Sequence, residues 1–216
     1  MKTPTKKNIC TYEINCITLL LNVEHLQCKS GMKLKLKEIS KIQFGAYERS
    51  EREGFIQYLQ AKNFTDEGVL LRNIDTFLPE DTKFTDTCLA IGDILFAAKG
   101  NRFFAAAYDS NWGKTVASSV FYIIRLNTHK ILPQYLSAIL NLPQNISYFQ
   151  QAATGSTILS LRKKELEDFE LEIPPLEFQQ KIIEFRKLHV LEIALTEEIR
   201  EQKKILYQSA ITKILK

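Results

Sequence analysis

The stretch LEIPPLEFQQKIIEF, residues 171–185, decides how the chain is organised. A short strand-like run, ELEIP (170–174), meets two prolines, and a helical pattern then continues to Lys216 without another proline or glycine. Pro175 pushes Pro174 into extended geometry and Pro174 does the same to Ile173, so the strand cannot drift into the helix. Pro175 has a pre-set φ and needs no amide partner, which suits a first helical turn, and Glu177 sits where the helix dipole favours negative charge. The 41 residues from Leu176 to Lys216 therefore predict a rod. At roughly 1.5 Å per residue it is about 60 Å long. Along it Leu188, Leu191, Leu195, Ile199, Leu206 and Ala210 follow at steps of 3, 4, 4, 7 and 4, with Gln202 in the gap. That stripe is narrower than the face of an ordinary core helix and suits a coiled-coil seam. A rod of this length needs a partner to cover its seam; folding back on its own domain accounts for the first turns only.

Working outward, the bulk composition is that of a globular protein, with 45% hydrophobic and 25% charged residues, which argues against wholesale disorder. The chain of 216 residues is long enough for one good core, or one domain plus an appendage. Its four cysteines make no disulfide framework, and Cys10, Cys16 and Cys28 with His25 nearby contain no C-x-x-C pair, so reduced thiols are expected and not a metal site. The apolar run CITLLLNV (16–23) is too short to span a bilayer, and Pro4, Glu13 and the lack of a small-residue cleavage site argue against a signal peptide. A cytoplasmic protein is expected.

The net charge of +4 is modest, but its distribution is uneven. Residues 92–164 carry eight basic side chains against Asp93 and Asp109 alone, giving +6, whereas residues 165–175 carry five acidic and no basic side chains. A basic block of this kind is the footprint of a nucleic-acid surface, although a solvated basic face reads equally well from charge alone.

The predicted organisation is α+β. Residues 1–31 read poorly as part of a fold, a poorly defined N-terminal extension, and GMKLKLKEISKIQFG (31–45) looks like a fresh beginning, with Met32 a candidate natural start. A mixed strand and helix domain occupies 32–174. Its short strands include GFIQYLQ (54–60), GDILFAA (92–98), RFFAAAY (102–108, where the alanines also allow a helix) and the long run TVASSVFYIIRL (115–126). A turn is expected at Asp66–Gly68. Helices follow at PQYLSAILN (133–141, proline first) and QNISYFQQAA (144–153), and LRKKELEDF (161–169) reads as a short amphipathic turn or helix. The long helix takes 175–216.

In order and spacing, GDILFAAKG (92–100), SSVFYIIRLN…ILPQYLSAILN (118–141), ATGST (153–157), an acidic turn and the proline–proline–leucine–glutamate helix start with Gln179 or Gln180 resemble a specificity subunit of Type I restriction–modification systems. No piece is specific by itself; their succession over most of the chain is. The resemblance implies a target recognition domain followed by a conserved spacer helix. Family members generally carry two of each with the helices antiparallel, whereas this sequence holds one of each. It would therefore be a half-subunit that pairs with itself or with a longer specificity subunit, a truncated gene, or an exchange cassette. A self-pairing is isologous and predicts a bipartite, palindromic target.

No catalytic set stands out: no glycine-rich loop for a dinucleotide or S-adenosylmethionine, no [D/N]-P-P-[Y/F] sequence, and only the isolated His25, His129 and His189. By the resemblance, S-adenosylmethionine, ATP and magnesium belong to methyltransferase and restriction partner subunits, and this chain would read double-stranded DNA. Candidate DNA contacts in the basic block are Lys99, Arg102, Tyr108, Asn111 and Lys114, with Trp112 among them, and Gly155, Ser156, Thr157, Arg162, Lys163 and Lys164 around the small-residue loop. Lysine and arginine suit phosphate or guanine, Asn111 suits adenine, and Gly155 would let backbone amides approach a phosphate. Tyr108 and Trp112 serve equally as core. Reversing the charges of Lys99, Arg102 and Arg162 together is expected to abolish DNA binding without unfolding. The alternative is a degenerate half-subunit or cassette that acts only as a coiled-coil interaction protein.

Overall fold

The computed structural model describes residues 31–71, 74–79, 87–155 and 157–215. The expectations for residues 1–30, including Cys10, Cys16, Cys28 and His25, and for Ser156 lie outside these. Among the described residues no helix is long and apolar enough to cross a membrane.

The architecture is α+β and divides into two compact units, one spanning Ser30–Gln180 and the other containing the helix from Lys181 onward. In the first, strands β1 (Met32–Lys35) and β9 (Glu170–Ile173) pair antiparallel, with a short helix α1 (Leu36–Ile39) between β1 and β2 (Ser40–Phe44). Lys37 Nζ lies 2.7 Å from Asp168, which holds the Asp168 carboxyl below its ordinary pKa. A four-stranded sheet follows the order β2, β8 (Phe121–Leu126), β5 (Asp93–Ala97), β6 (Ala105–Ala107), all neighbours antiparallel. The third sheet has β3 (Ile56–Leu59) between β4 (Phe77–Leu78) and β7 (Thr115–Ala117), and its β3–β7 pairing is parallel.

Every residue of β5 is buried, and the two faces have different partners. Leu95 and Ala97 join Leu59, Phe64, Phe104, Ala117, Phe121 and Ile123 in a core between the two larger sheets. Phe96 points the other way and meets Phe149 edge-on at 4.9 Å between ring centroids. A strand covered on both sides reads as a continuous apolar run, which is why DILFA lacks alternation. The alanine-rich segment is the edge strand β6 and not a helix, and its exposed ladder is closed by a side chain. Asn141 Oδ1 accepts from Ala105 N at 2.7 Å, while Asn141 Nδ2 donates to Ala105 O at 2.8 Å. An unpaired edge invites other strands, and the Asn141 amide blocks it.

The run 115–126 is not one strand. It breaks at Ser118–Val120, where Phe121 N donates to Ser118 O, so that β7 serves one sheet and β8 the other. The expected turn at Asp66–Gly68 is present, with Gly68 at φ 74° and Thr65 N donating to Val69 O.

Helices α2 (Pro133–Leu140) and α3 (Pro143–Ala152) both open on proline, followed by α4 (Lys163–Glu167). The long helix α5 (Leu176–Ile214) has 39 residues. Its first amides are met by Pro175, whose carbonyl accepts from Phe178 N at 2.9 Å and Gln179 N at 3.2 Å. From Thr196 to Leu215 every residue is exposed. Of the predicted stripe, Leu188 and Leu195 are half-buried, while Leu191, Ile199, Leu206 and Ala210 are exposed, Leu206 at 70%.

Candidate nucleic-acid interface

One end of the four-stranded sheet carries the candidate site, because three neighbouring strands end there. Ala97 of β5 sits opposite Phe121 of β8, and Gly45, just past β2, donates its amide to Phe121 O. Beyond Ala97 the chain forms a small ladder with the segment before α4. Leu161 N donates to Ala98 O at 2.8 Å, Gly100 N to Leu159 O at 2.9 Å, and Ser160 exchanges two backbone hydrogen bonds with Thr154. Lys99 stands in this ladder opposite Ser160. Backbone pairing thus sets the exposed Lys99 beside the loop of Gly155 and Thr157 and the start of α4 at Arg162. Gly155 has φ 125°, and an added Cβ would lie 2.2 Å from Ile158 O, so only glycine closes this loop without strain.

Arg162 pairs with Glu165 at 2.9 Å and Lys163 with Glu167 at 3.3 Å. Both are surface pairs within one short helix, worth roughly 0–1 kcal/mol, so a phosphate can displace the carboxylate at little cost.

Arg102 has a different occupation. Its guanidinium binds Asp66, donates to Ala61 O at 3.0 Å and Phe64 O at 3.3 Å, and lies 5.7 Å from the Phe104 ring centroid. It ties the 61–66 loop to the sheet. Arg102→Glu would place a carboxylate against Asp66 and two carbonyls, so the triple charge reversal expected above would mix a folding defect with a binding one. Water can replace the exposed bond to Ala61 O, so Arg102→Ala should cost about 1 kcal/mol, mainly through the part-buried Phe64 O. Urea denaturation measures this, and a loss under about 0.5 kcal/mol, the scatter of ordinary surface substitutions, would show the ties to be idle.

Tyr108, Asn111 and Lys114 fall elsewhere. Tyr108 N donates to Asp93 O at the start of β5, whereas the Lys99 ladder follows its end. The two groups of candidates thus leave the β5–β6 hairpin from opposite ends, up to about 20 Å apart at 3.3 Å per residue. Tyr108 packs edge-on against Trp112 and donates its hydroxyl to Gly113 O at 2.8 Å, and Trp112 meets Phe64 edge-on. Both rings lie half-buried against the core. Asn111 and Lys114 are exposed, and the Lys114 carbonyl accepts from Gln57 N. No group of His, Cys, Asp or Glu among the described residues is arranged to hold a metal ion.

The family model of the Type I restriction modification DNA specificity domain matches residues 29–204. The chain belongs to this specificity-domain family. No curated protein matches the sequence. Solved structures show the fold: the S subunit of a Type I restriction–modification system from M. genitalium aligns with TM-score 0.54 at 14% identity over 90% of this chain and 52% of that one. The HsdS subunit from Thermoanaerobacter tengcongensis gives 0.54 at 16% identity over 89% and 46%. A chain from a structure titled for complex assembly and conformational transition of the type I R-M system gives 0.53 at 18% identity over 92% and 50%. The chain spans about half the length of each of these solved chains.

Two exposed aromatics at the same sheet end, Phe44 and Tyr47, escape a sequence reading of this specificity domain. Phe44 fits the apolar alternation of β2, and nothing local marks it as turned to solvent. Of the two glutamines at the helix start, Gln179 is fully buried and Gln180 is exposed.

Proposed function

We propose that the chain is a non-catalytic, sequence-reading component of a Type I restriction–modification system, acting in the cytoplasm on double-stranded DNA. The observation that carries this reading is the ladder that sets Lys99 against the Gly155–Arg162 segment in a chain of the specificity-domain family. A backbone loop closed by glycine beside exposed cationic side chains is suited to phosphate, and neighbouring polar side chains such as Thr157 are within reach of base edges. Methylation and cleavage, with S-adenosylmethionine, ATP and magnesium, belong on this reading to methyltransferase and restriction subunits. The methyltransferase would draw the target adenine from the stack, since chemistry on a base requires it. The exposed second half of α5 would pair with the same helix of a second copy or of a longer specificity subunit. Two readers related by a two-fold axis make the target bipartite.

Co-expression with a methyltransferase subunit, followed by sequencing of methylated adenines, tests the reading. A bipartite methylated motif that appears only when this chain is present is the expected result, and methylation independent of the chain defeats it. In a duplex-binding titration Lys99→Glu with Arg162→Glu should lower affinity by on the order of 100-fold near 0.1 M salt, with thermal unfolding unchanged. Equal affinity in that double variant would move the phosphate contacts away from the ladder.

A further inference from the structure

We infer that Phe44 and Tyr47, two exposed rings on a pinned backbone, touch the base pairs of the duplex and set part of the sequence preference. The inference rests on the DNA-reading function proposed above and adds to it the residues that would read. The chain between β2 and β3 is pinned residue by residue. Gly45 N donates to Phe121 O at 2.9 Å and Ala46 N to Ala117 O at 2.8 Å, so this segment crosses from one sheet to the other. Gly45 approaches β7 so closely that a Cβ would lie 2.1 Å from Ser118 O and 2.7 Å from Ala117 O. The Tyr58 hydroxyl then clamps both sides of Tyr47, donating to Ala46 O at 2.9 Å and accepting from Glu48 N at 3.3 Å. Burial pushes the Tyr58 pKa up, so the phenol keeps the proton it donates.

Between these two fixed peptides the Tyr47 side chain is 91% exposed, and Phe44, lying edge-on to Tyr122 with 5.2 Å between centroids, is 63% exposed. Tyr47 buries almost no surface in the fold, and Phe44 contributes only its contact with Tyr122 to it. They have few rotatable bonds to freeze, so binding through them costs little entropy.

Their surroundings identify the occupant. Tyr122, the ring beneath Phe44, donates its hydroxyl to Leu161 O, the residue next to Arg162. Gly45, Phe121 and Ala97 lie side by side on successive strands, and strands are about 4.8 Å apart. Lys99 follows two residues beyond Ala97, so its backbone stands about 12 Å from that of Gly45, comparable to the roughly 12 Å width of a major groove. Phe44 lies on the Tyr122 and Phe96 face and Lys99 follows on the Ala97 side, so a duplex laid across this end of the sheet meets both, with a phosphate on Lys99 and base edges on the rings. The rings carry no charge to give a phosphate, so what they contribute is contact with base edges, such as a thymine methyl.

The test measures sequence preference and salt dependence separately in the full chain. The probe is a pool of duplexes with a randomised central segment, with the retained fraction sequenced. Tyr47→Ala and Phe44→Ala should each keep bulk retention within about twofold, with the salt slope of the wild type, while binding the wild-type motif about tenfold more weakly and relaxing one or two adjacent positions of it. Lys99→Ala should instead reduce the salt slope by about one and leave the motif intact. Unchanged motif and affinity in both aromatic variants, beside a wild type that enriches a motif, overturns the inference and leaves the DNA-reading function standing. A reduced salt slope in Tyr47→Ala assigns the ring to the backbone and overturns it too. A wild type that enriches no sequence removes the function itself, and the inference with it.

Discussion

Gln179→Leu is expected to lower the stability of the Ser30–Gln180 unit by about 3–5 kcal/mol, because three backbone groups lose their partner at once. The Gln179 side chain is fully buried, and its amide is nearly used up. Its Oε1 accepts from Leu132 N at 2.8 Å, and its Nε2 donates to Lys130 O and to Pro174 O, both at 2.8 Å. Leucine fills a similar volume but leaves one amide and two carbonyls unmet in a place water reaches poorly, and each such group costs about 1–3 kcal/mol. Gln179→Glu separates shape from donors. It has the same size, yet it sets a carboxylate against two carbonyl oxygens, so at neutral pH it should be at least as unstable as the leucine variant. Burial against two carbonyl oxygens, with Leu132 N as the donor to the other oxygen, raises the pKa of the introduced carboxyl, so the variant regains stability as pH falls, when protonation restores one donor. Thermal unfolding of both variants at two pH values reads this out. If Gln179→Leu unfolds within a degree or two of the wild type, the three hydrogen bonds are not holding the helix start to the loop before α2.

That amide explains why the opening stretch could be read for its helix and not for its purpose. Proline, proline and an unbroken apolar periodicity are local signals, and the structure ends β9 at Ile173 and starts α5 at Leu176. Two of the three partners of Gln179 lie 47 and 49 residues back, in a loop with no pattern of its own. The same division runs through the site. Glycine at 155 marks a turn locally, but its union with Lys99 depends on a ladder between segments some 60 residues apart, and Arg102 finds Asp66 across 36 residues. Charge counting pooled the cations of residues 92–164 as one surface. The folded chain sends them to both ends of a hairpin and withdraws Arg102 and Arg125 into contacts of their own. The long run 115–126 misleads for a related reason: β-branched and aromatic residues favour strands without saying to which sheet each half belongs. Only the Ser118–Ser119 pair, small and polar, marks the change of sheet, and it reads equally well as the exposed face of one strand.

Arg125→Leu is expected to cost about 3–5 kcal/mol, since removing one partner of a buried ion pair leaves the other uncompensated. Asp93 and Arg125 stand directly opposite each other on β5 and β8, a single charge in each of two otherwise apolar strands. The Asp93 side chain is 1% exposed and accepts from Arg125 Nε at 2.8 Å and Nη2 at 2.7 Å, with Ala90 N as a third donor at 2.9 Å. The pair raises the pKa of Arg125, chiefly through the hydrogen bond to the carboxylate. The consequences of breaking it are unequal. Without Arg125 the Asp93 carboxylate keeps one amide and no counter-charge, deep at the mouth of the core strand. Without the carboxylate, Arg125 is still partly exposed and can turn to water, so Asp93→Asn should cost only about 1–2 kcal/mol. Replacing both with leucine should recover most of the loss, because a well-packed apolar pair does not carry the desolvation of two ions. Urea unfolding of the two single variants and the double variant closes the cycle, with equal m-values required for the comparison. A double variant as unstable as the sum of its parts would mean that the pair is not acting as a pair, and that Asp93 is held by the Ala90 turn alone.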